Sequence, residues 1–234
     1  MLGRLLEFSV ATSDILESYE FYRSLGFTGI DGADIYPYRY GVVTDGRIAI
    51  GLHESDLPAL SLTYVHPDLA RHAQVLRGAG LKLSYEHLSD ERFHELGIDW
   101  ADGPALRLLE ARTFSPVEPA PATKAGWFEE LAVTVRDLPA ITAHWERLGF
   151  VRVSDDGAWS SMTSDHLSMS LQAGSRAARP ALRFSIDDVE STRAELEALG
   201  LPCDARVPLP PGADGALALL APEGTPLLLV QAER

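Results

Sequence analysis

Histidine, carboxylate, tyrosine and serine are the groups in this chain with chemistry to offer, and their spacing narrows what that chemistry is. The histidines are His53, His66, His72, His87, His94, His144 and His166. No two stand four residues apart, the spacing that presents two imidazoles to a metal from one helix face. His53 closes the run DGRIAIGLH, so it reads as a partly exposed histidine at a strand end that could also line a concave sheet face. Tyr36, Tyr38 and Tyr40 alternate in IYPYRY, which on a strand puts three rings on one face. That face suits either stacking on a planar ligand or covering an edge strand beside Pro37. Ser168, Ser170 and Gln172 alternate likewise and offer hydrogen-bonding groups. Cys203 follows Pro202 with no flanking histidine, which gives no support for a thiol nucleophile. GxSxG, P-loop and GxGxxG patterns are missing, so hydrolase, nucleotide and dinucleotide readings have no support.

The elements that must position these groups come as repeats. Residues 14–27, DILESYEFYRSLGF, match 137–150, DLPAITAHWERLGF, at an offset of 123. Residues 68–81, DLARHAQVLRGAGL, match 188–201, DVESTRAELEALGL, at an offset of 120. Each follows a short alternating run: LLEFSVAT, LSLTYVH, EELAVTV and ALRFSID. Alternation predicts half-buried strands. The leading Asp of each repeat suits a helix N-cap, and the closing Gly suits a helix stop. Leu138, Ile141, Trp145 and Leu148 share one helical face. Turn signals such as DGAD, TDGR, SDDG and PEGT then separate further short strands, so each unit reads β-α-β-β-β. Trp159 holds the place of Tyr36 at the offset of 123.

Residues 111–126, ARTFSPVEPAPATKAG, are rich in Pro and Ala without an apolar period. A first domain of 1–113 (units 1–57 and 58–113), a linker at 114–126 and a second domain of 127–234 (units 127–175 and 176–234) are expected. The chain has 234 residues, ample for a core. Apolar residues make up 46% and mean hydropathy is −0.02, an ordinary globular balance. The net charge of −14 opposes binding to nucleic acid. No apolar run approaches the roughly 20 residues of a membrane span. The segment MLGRLLEFSVATSD lacks a secretory pattern and Cys203 has no internal partner, so a cytoplasmic monomer or homodimer is expected.

Four β-α-β-β-β units with SD…FYRSLGF, RD…HWERLGF, DGRIAIGLHE and PEGTPLLLVQ resemble the vicinal oxygen chelate superfamily, which includes glyoxalase I, extradiol dioxygenases and bleomycin-binding proteins. The resemblance implies an α+β fold in which units pair into two cup-shaped mixed sheets. It also implies a divalent metal in the cup of active members, held from the first and last strand of each paired unit. Carried onto this chain, the first-strand positions are Glu7, Ser61, Glu130 and Ala181, and the last-strand positions are Gly51, Arg107, Ser170 and Leu228. Neither half then offers a His or a second carboxylate, and Arg107 would repel a metal. Pairing the units across the halves does not complete a ligand set either.

The expectation is therefore a glyoxalase- or bleomycin-resistance-like protein that binds a small organic molecule without a metal or other cofactor. The alternatives are a metal-dependent lyase, isomerase or dioxygenase of the same superfamily, for which His53 speaks, and a scaffold with degenerate cups. The ligand-binding residues expected are Glu7, Arg107, Tyr38 and His53 in the first cup, and Glu130, Trp159, Ser170 and Gln172 in the second. Glu7 and Arg107 are expected to form an ion pair where relatives place a metal. Glu130, with no cation at the matching positions, is expected to anchor a basic ligand beside Trp159.

Overall fold

A computed structural model describes residues 2–30, 36, 38–89, 93–100, 102–112, 122–174, 179–204, 207 and 215–232. The first unit comprises β1 (Arg4–Ala11), α1 (Ile15–Ser24), β2 (Thr28–Ile30), β3 (Tyr40–Thr44) and β4 (Ala49–His53). The second comprises β5 (Ser61–His66), α2 (Leu69–Gly78), β6 (Tyr85–His87), β7 (Glu95–Ile98) and β8 (Ala105–Glu110). The third comprises β9 (Trp127–Val135), α3 (Leu138–Arg147), β10 (Val151–Asp155), β11 (Trp159–Thr163) and β12 (Ser168–Ala173). The fourth comprises β13 (Ala181–Ile186), α4 (Val189–Ala198), β14 (Leu217–Leu220) and β15 (Pro226–Gln231). Its remaining expected strand falls in a stretch largely outside the described residues.

The helix signals act as their chemistry predicts. Asp14, Asp68, Asp137 and Asp188 each accept from the backbone N–H three residues on, at 2.7–3.1 Å. Gly26, Gly80, Gly149 and Gly200 follow the helices at φ of +72° to +96°, a region glycine enters without a Cβ penalty.

Two mixed sheets result, ordered β2-β3-β4-β1-β5-β8-β7-β6 and β10-β11-β12-β9-β13-β15-β14. Within a unit the first strand runs parallel to the last, as β1 does to β4. Units join antiparallel through their first strands, β1 to β5 and β9 to β13. Units therefore pair within each half of the chain and not across the halves. This is the two-sheet α+β architecture that the resemblance implies.

The apolar core occupies the helix-bearing faces. Phe8, Val10, Ile50, Leu52, Leu62, Leu106 and Leu108 are buried there in the first sheet, and Leu131, Val133, Met169, Leu171, Leu182 and Leu229 in the second. One cluster joins both sheets. Phe8 meets Phe128 with ring centroids 5.4 Å apart, and Trp145 of α3 meets Trp100 at 5.3 Å. Arg136 pairs with Asp102 at 2.8 Å across the same boundary. The opposite faces remain to form the cups. No helix among the described residues is long and apolar enough to cross a membrane.

Candidate functional site

Both cups start from the same irregularity. The β1–β5 register shifts between Leu5 and Glu7, leaving Leu6 as an extra residue. The β9–β13 register shifts so that Glu129 is extra. Leu6 and Glu129 are repeat equivalents. A bulge re-aims the side chain that follows it. Here it turns Glu7 and Glu130 to the cup faces while Leu5 and Phe128, two residues before them, pack against the core.

In the first cup Glu7 is 1% exposed, yet it is well supplied with donors. Ser9 donates to Oε1 at 2.6 Å, Tyr40 donates to Oε2, and His53 Nε2 lies 2.8 Å from Oε1. Ser9 is linked onward to Thr63 at 2.6 Å. Burial pushes the carboxyl upward, but hydrogen bonds from His53, Ser9 and Tyr40 oppose it, and Glu7 is held below the usual carboxylate range. Gly51 opposes this carboxylate from β4, and any Cβ there would collide with it.

His53 is fully buried, so the exposed strand-end histidine expected from sequence is corrected. The reason is that Tyr36, Tyr38 and Tyr40 enclose it, with ring centroids 4.7–5.9 Å from the imidazole. Only Tyr40 of the three belongs to a strand, yet the rings still gather; Tyr36 and Tyr38 stack at 5.1 Å. Tyr38 Oη lies 3.2 Å from His53 Nδ1. Burial first, then the Glu7 charge, raises the Tyr36 and Tyr40 hydroxyls far above the ordinary phenol range.

The expected Glu7–Arg107 ion pair is also corrected. Arg107 gives Nε and Nη2 to Glu95 Oε1 at 3.0 and 2.8 Å, and Tyr85 donates to the same oxygen at 2.6 Å. Glu95 reaches Arg107 from the adjoining strand β7, while Glu7 is already satisfied. Burial opposes the Arg107 charge, and the neighbouring Tyr36 and Glu95 outweigh that opposition. The guanidinium lies 5.5 Å from the Tyr36 ring centroid. Arg107 Nη1 and Tyr36 Oη are buried without a hydrogen-bond partner among the described residues. A cavity of about 350 Å³ opens between the loop carrying Ser55–Pro58 and strands β6 to β8, with Tyr38, Tyr85, Glu95 and Arg107 in its wall.

The second cup differs. Glu130 pairs with Arg183 at 2.9 Å, which corrects the expectation of an unpartnered carboxylate. Arg183 stands two residues beyond Ala181, on the same strand face. Val207 packs on Ala132, Ala181, Ala218 and Leu228, so the floor of this cup is apolar and filled from within the chain. Trp159 opposes Gln172 across β11 and β12, and Ser170 lies beside Ala132 with its Oγ unpartnered among the described residues. These residues share a face but, among the described residues, surround no free anionic group.

Sequence reasoning did not name Ser9, Glu95, Tyr85 or Arg183 as site residues, and it weighed Tyr40 only as one of three alternating rings. Strand alternation alone could have found Ser9 and Arg183, each two residues from a position already chosen. The β7 and β6 partners of Arg107 needed the register.

The donor chemistry of neither cup fits a divalent metal. Glu7 and His53 are hydrogen-bonded to each other, the remaining first-cup positions hold Gly51, Ser61 and the permanent cation Arg107, and the second cup offers one paired carboxylate. Among the described residues no three of His, Cys, Asp and Glu group as a metal would need.

The architecture is the two-domain fold of the vicinal oxygen chelate superfamily. Homoprotocatechuate 2,3-dioxygenase from Arthrobacter globiformis superposes over 100% of this chain and 80% of its own, at TM-score 0.68 and 15% identity. The Brevibacterium fuscum enzyme, in complex with 3,4-dihydroxyphenylacetate, matches over 99% of this chain and 81% of its own, at TM-score 0.66 and 14% identity. At such identity the likeness is one of fold. No family model and no curated protein matches the chain.

Proposed function

We propose that the protein binds a small organic molecule in the first cup without using a metal ion. The observation that carries this reading is the cavity of about 350 Å³ over Arg107, whose guanidinium keeps one buried N–H group without a partner among the described residues. A concave site with a few convergent polar groups is the usual form of a ligand pocket. Tyr38 and Tyr85 supply aromatic walls, and Arg107 with Glu95 supplies orientation.

A second reading is a metal-dependent ring-cleaving dioxygenase. Likeness in fold to the homoprotocatechuate dioxygenases favours this reading over the first, and the donor chemistry of both cups favours the first over it. One experiment separates them. A thermal-shift screen of small phenols, carboxylates and amines is run in chelator, then repeated anaerobically with ferrous or manganous ion. Stabilisation in chelator that Arg107→Gln removes supports metal-free binding. Stabilisation only with metal, followed by oxygen uptake with 3,4-dihydroxyphenylacetate, supports the dioxygenase instead.

A further inference from the structure

Glu7, His53 and Tyr38 form a hydrogen-bonded chain with its two inner members fully buried and its outer member in the cavity wall. The direction of the chain follows from its inner end. Glu7 is held as a carboxylate and accepts from Ser9 and Tyr40, so the contact with His53 requires hydrogen on Nε2. In the neutral ring Nδ1 is then an acceptor, and Tyr38 donates to it. The Tyr38 oxygen keeps its lone pairs for whatever occupies the cavity.

Resting on the reading of this cup as a small-molecule site, we propose that Tyr38, backed by His53 and Glu7, takes up the hydroxyl proton of a bound phenol, so that the ligand is held as its phenolate. The ligand O–H bond breaks and its proton joins Tyr38 Oη. The former Tyr38 proton moves to His53 Nδ1. His53 becomes an imidazolium already paired with the Glu7 carboxylate, and no other bond changes. The new phenolate faces Arg107, which lines the same cavity and has Nη1 to give. The proton stays inside the protein.

The ligand class follows from matched acidity. Proton transfer through a tyrosine is easiest from a group of similar proton affinity, and a phenol is that group. An aliphatic alcohol is too weak an acid for the relay. A carboxylic acid arrives ionised and has no use for it. The cavity volume stands near the lower end for ligand pockets and suits one substituted ring.

The test uses 4-nitrophenol, whose absorbance reports its ionisation, added to the full chain below the pH at which the free probe ionises. Calorimetric titration in two buffers of different ionisation enthalpy counts protons released. The expected result is bound probe showing the anion band with no net proton released to buffer. Tyr38→Phe, which keeps the ring, should bind the probe with the anion-to-neutral ratio lowered roughly tenfold, about one unit in ionisation. His53→Gln, which keeps a donor toward Glu7, should form the anion only with a proton released to buffer, or not at all. Thermal melts of both variants confirm that they fold. The proposal is overturned if wild type binds the neutral probe, if the anion-to-neutral ratio in Tyr38→Phe equals that of wild type, or if wild type releases about one proton per probe bound. Failure of wild type to bind the probe also overturns it. The small-molecule reading falls separately, when the wider screen in chelator finds no ligand.

Discussion

Gly51 leaves the space that the Glu7 carboxylate fills. The two face each other on parallel strands β4 and β1, and a Cβ at residue 51 would land on the carboxylate. In the resemblance drawn from sequence, these are a last-strand and a first-strand ligand position. Here one supplies a side chain and the other its absence. A flexible side chain could ordinarily give way. Glu7 is fixed by His53, Ser9 and Tyr40 together, so the strain spreads through the whole network. Gly51→Ala is expected to destabilise by about 1–3 kcal/mol, the usual cost of overpacking. Urea denaturation measures it; a variant as stable as the parent would show that the network yields freely.

The fold was legible because its signals are local and repeated. Four aspartates before helical patterns, four glycines after them, and strand alternation each act within a few residues, and they gave all four units. The cups were less legible because their chemistry lies between strands distant in sequence. Glu7 and Tyr38 could be placed on faces by period, but the choice of Glu95 over Glu7 as partner of Arg107 depends on β7 pairing with β8. His53 looked exposed because its cover, Tyr36 and Tyr38, comes from a connection outside the strands. Bulges at Leu6 and Glu129 have no sequence signature that the repeat comparison detects.

The Arg107–Glu95 pair should respond unequally to the loss of its two members. The Arg107 side chain is 6% exposed and the Glu95 side chain 21%. Removing Glu95 leaves a guanidinium with little water and no anion bonded to it. Removing Arg107 leaves a carboxylate that still accepts from Tyr85 and reaches solvent. Glu95→Ala is therefore expected to cost about 3–5 kcal/mol, and Arg107→Ala distinctly less. Chemical denaturation of both variants and of the double variant decides the matter; equal costs would count against a desolvated cation.

His72 gives a pH dependence with a definite sign. It is 5% exposed, stacks on His66 at 4.1 Å, and has Nε2 buried without a partner among the described residues. Burial, followed by the neighbouring His66, lowers it from the usual 6.5 to about 4. Between those values the unfolded chain takes up a proton that the folded chain refuses. Stability from this residue is fully present above about 6.5 and is lost as pH falls toward 4. The urea midpoint of the parent should drop from pH 7 to pH 5, and His72→Gln should flatten that part of the slope. An unchanged slope would mean that other groups set it.

The second cup tests the opposite idea, that a chelate fold can retain its shape after its floor has become core. Val207 contacts Ala132, Ala181, Ala218 and Leu228, where polar ligands would have to converge. Truncating it to alanine removes two methyl groups from a buried site, so Val207→Ala should cost roughly 1.5–3 kcal/mol by the area rule. Glu130 is different. Its side chain is 14% exposed and that of Arg183 34%, so their attraction is screened and competes with water. Glu130→Gln is expected to change stability by less than about 1 kcal/mol. It should also leave the thermal response to cationic aromatic compounds unaltered, because Arg183 already occupies the carboxylate. The paired measurements separate packing from binding. A large loss in Glu130→Gln together with a small one in Val207→Ala would make the second cup a polar site after all. A cationic ligand whose stabilisation vanishes in Glu130→Gln would return the anchor role to that residue and displace Arg183 from it.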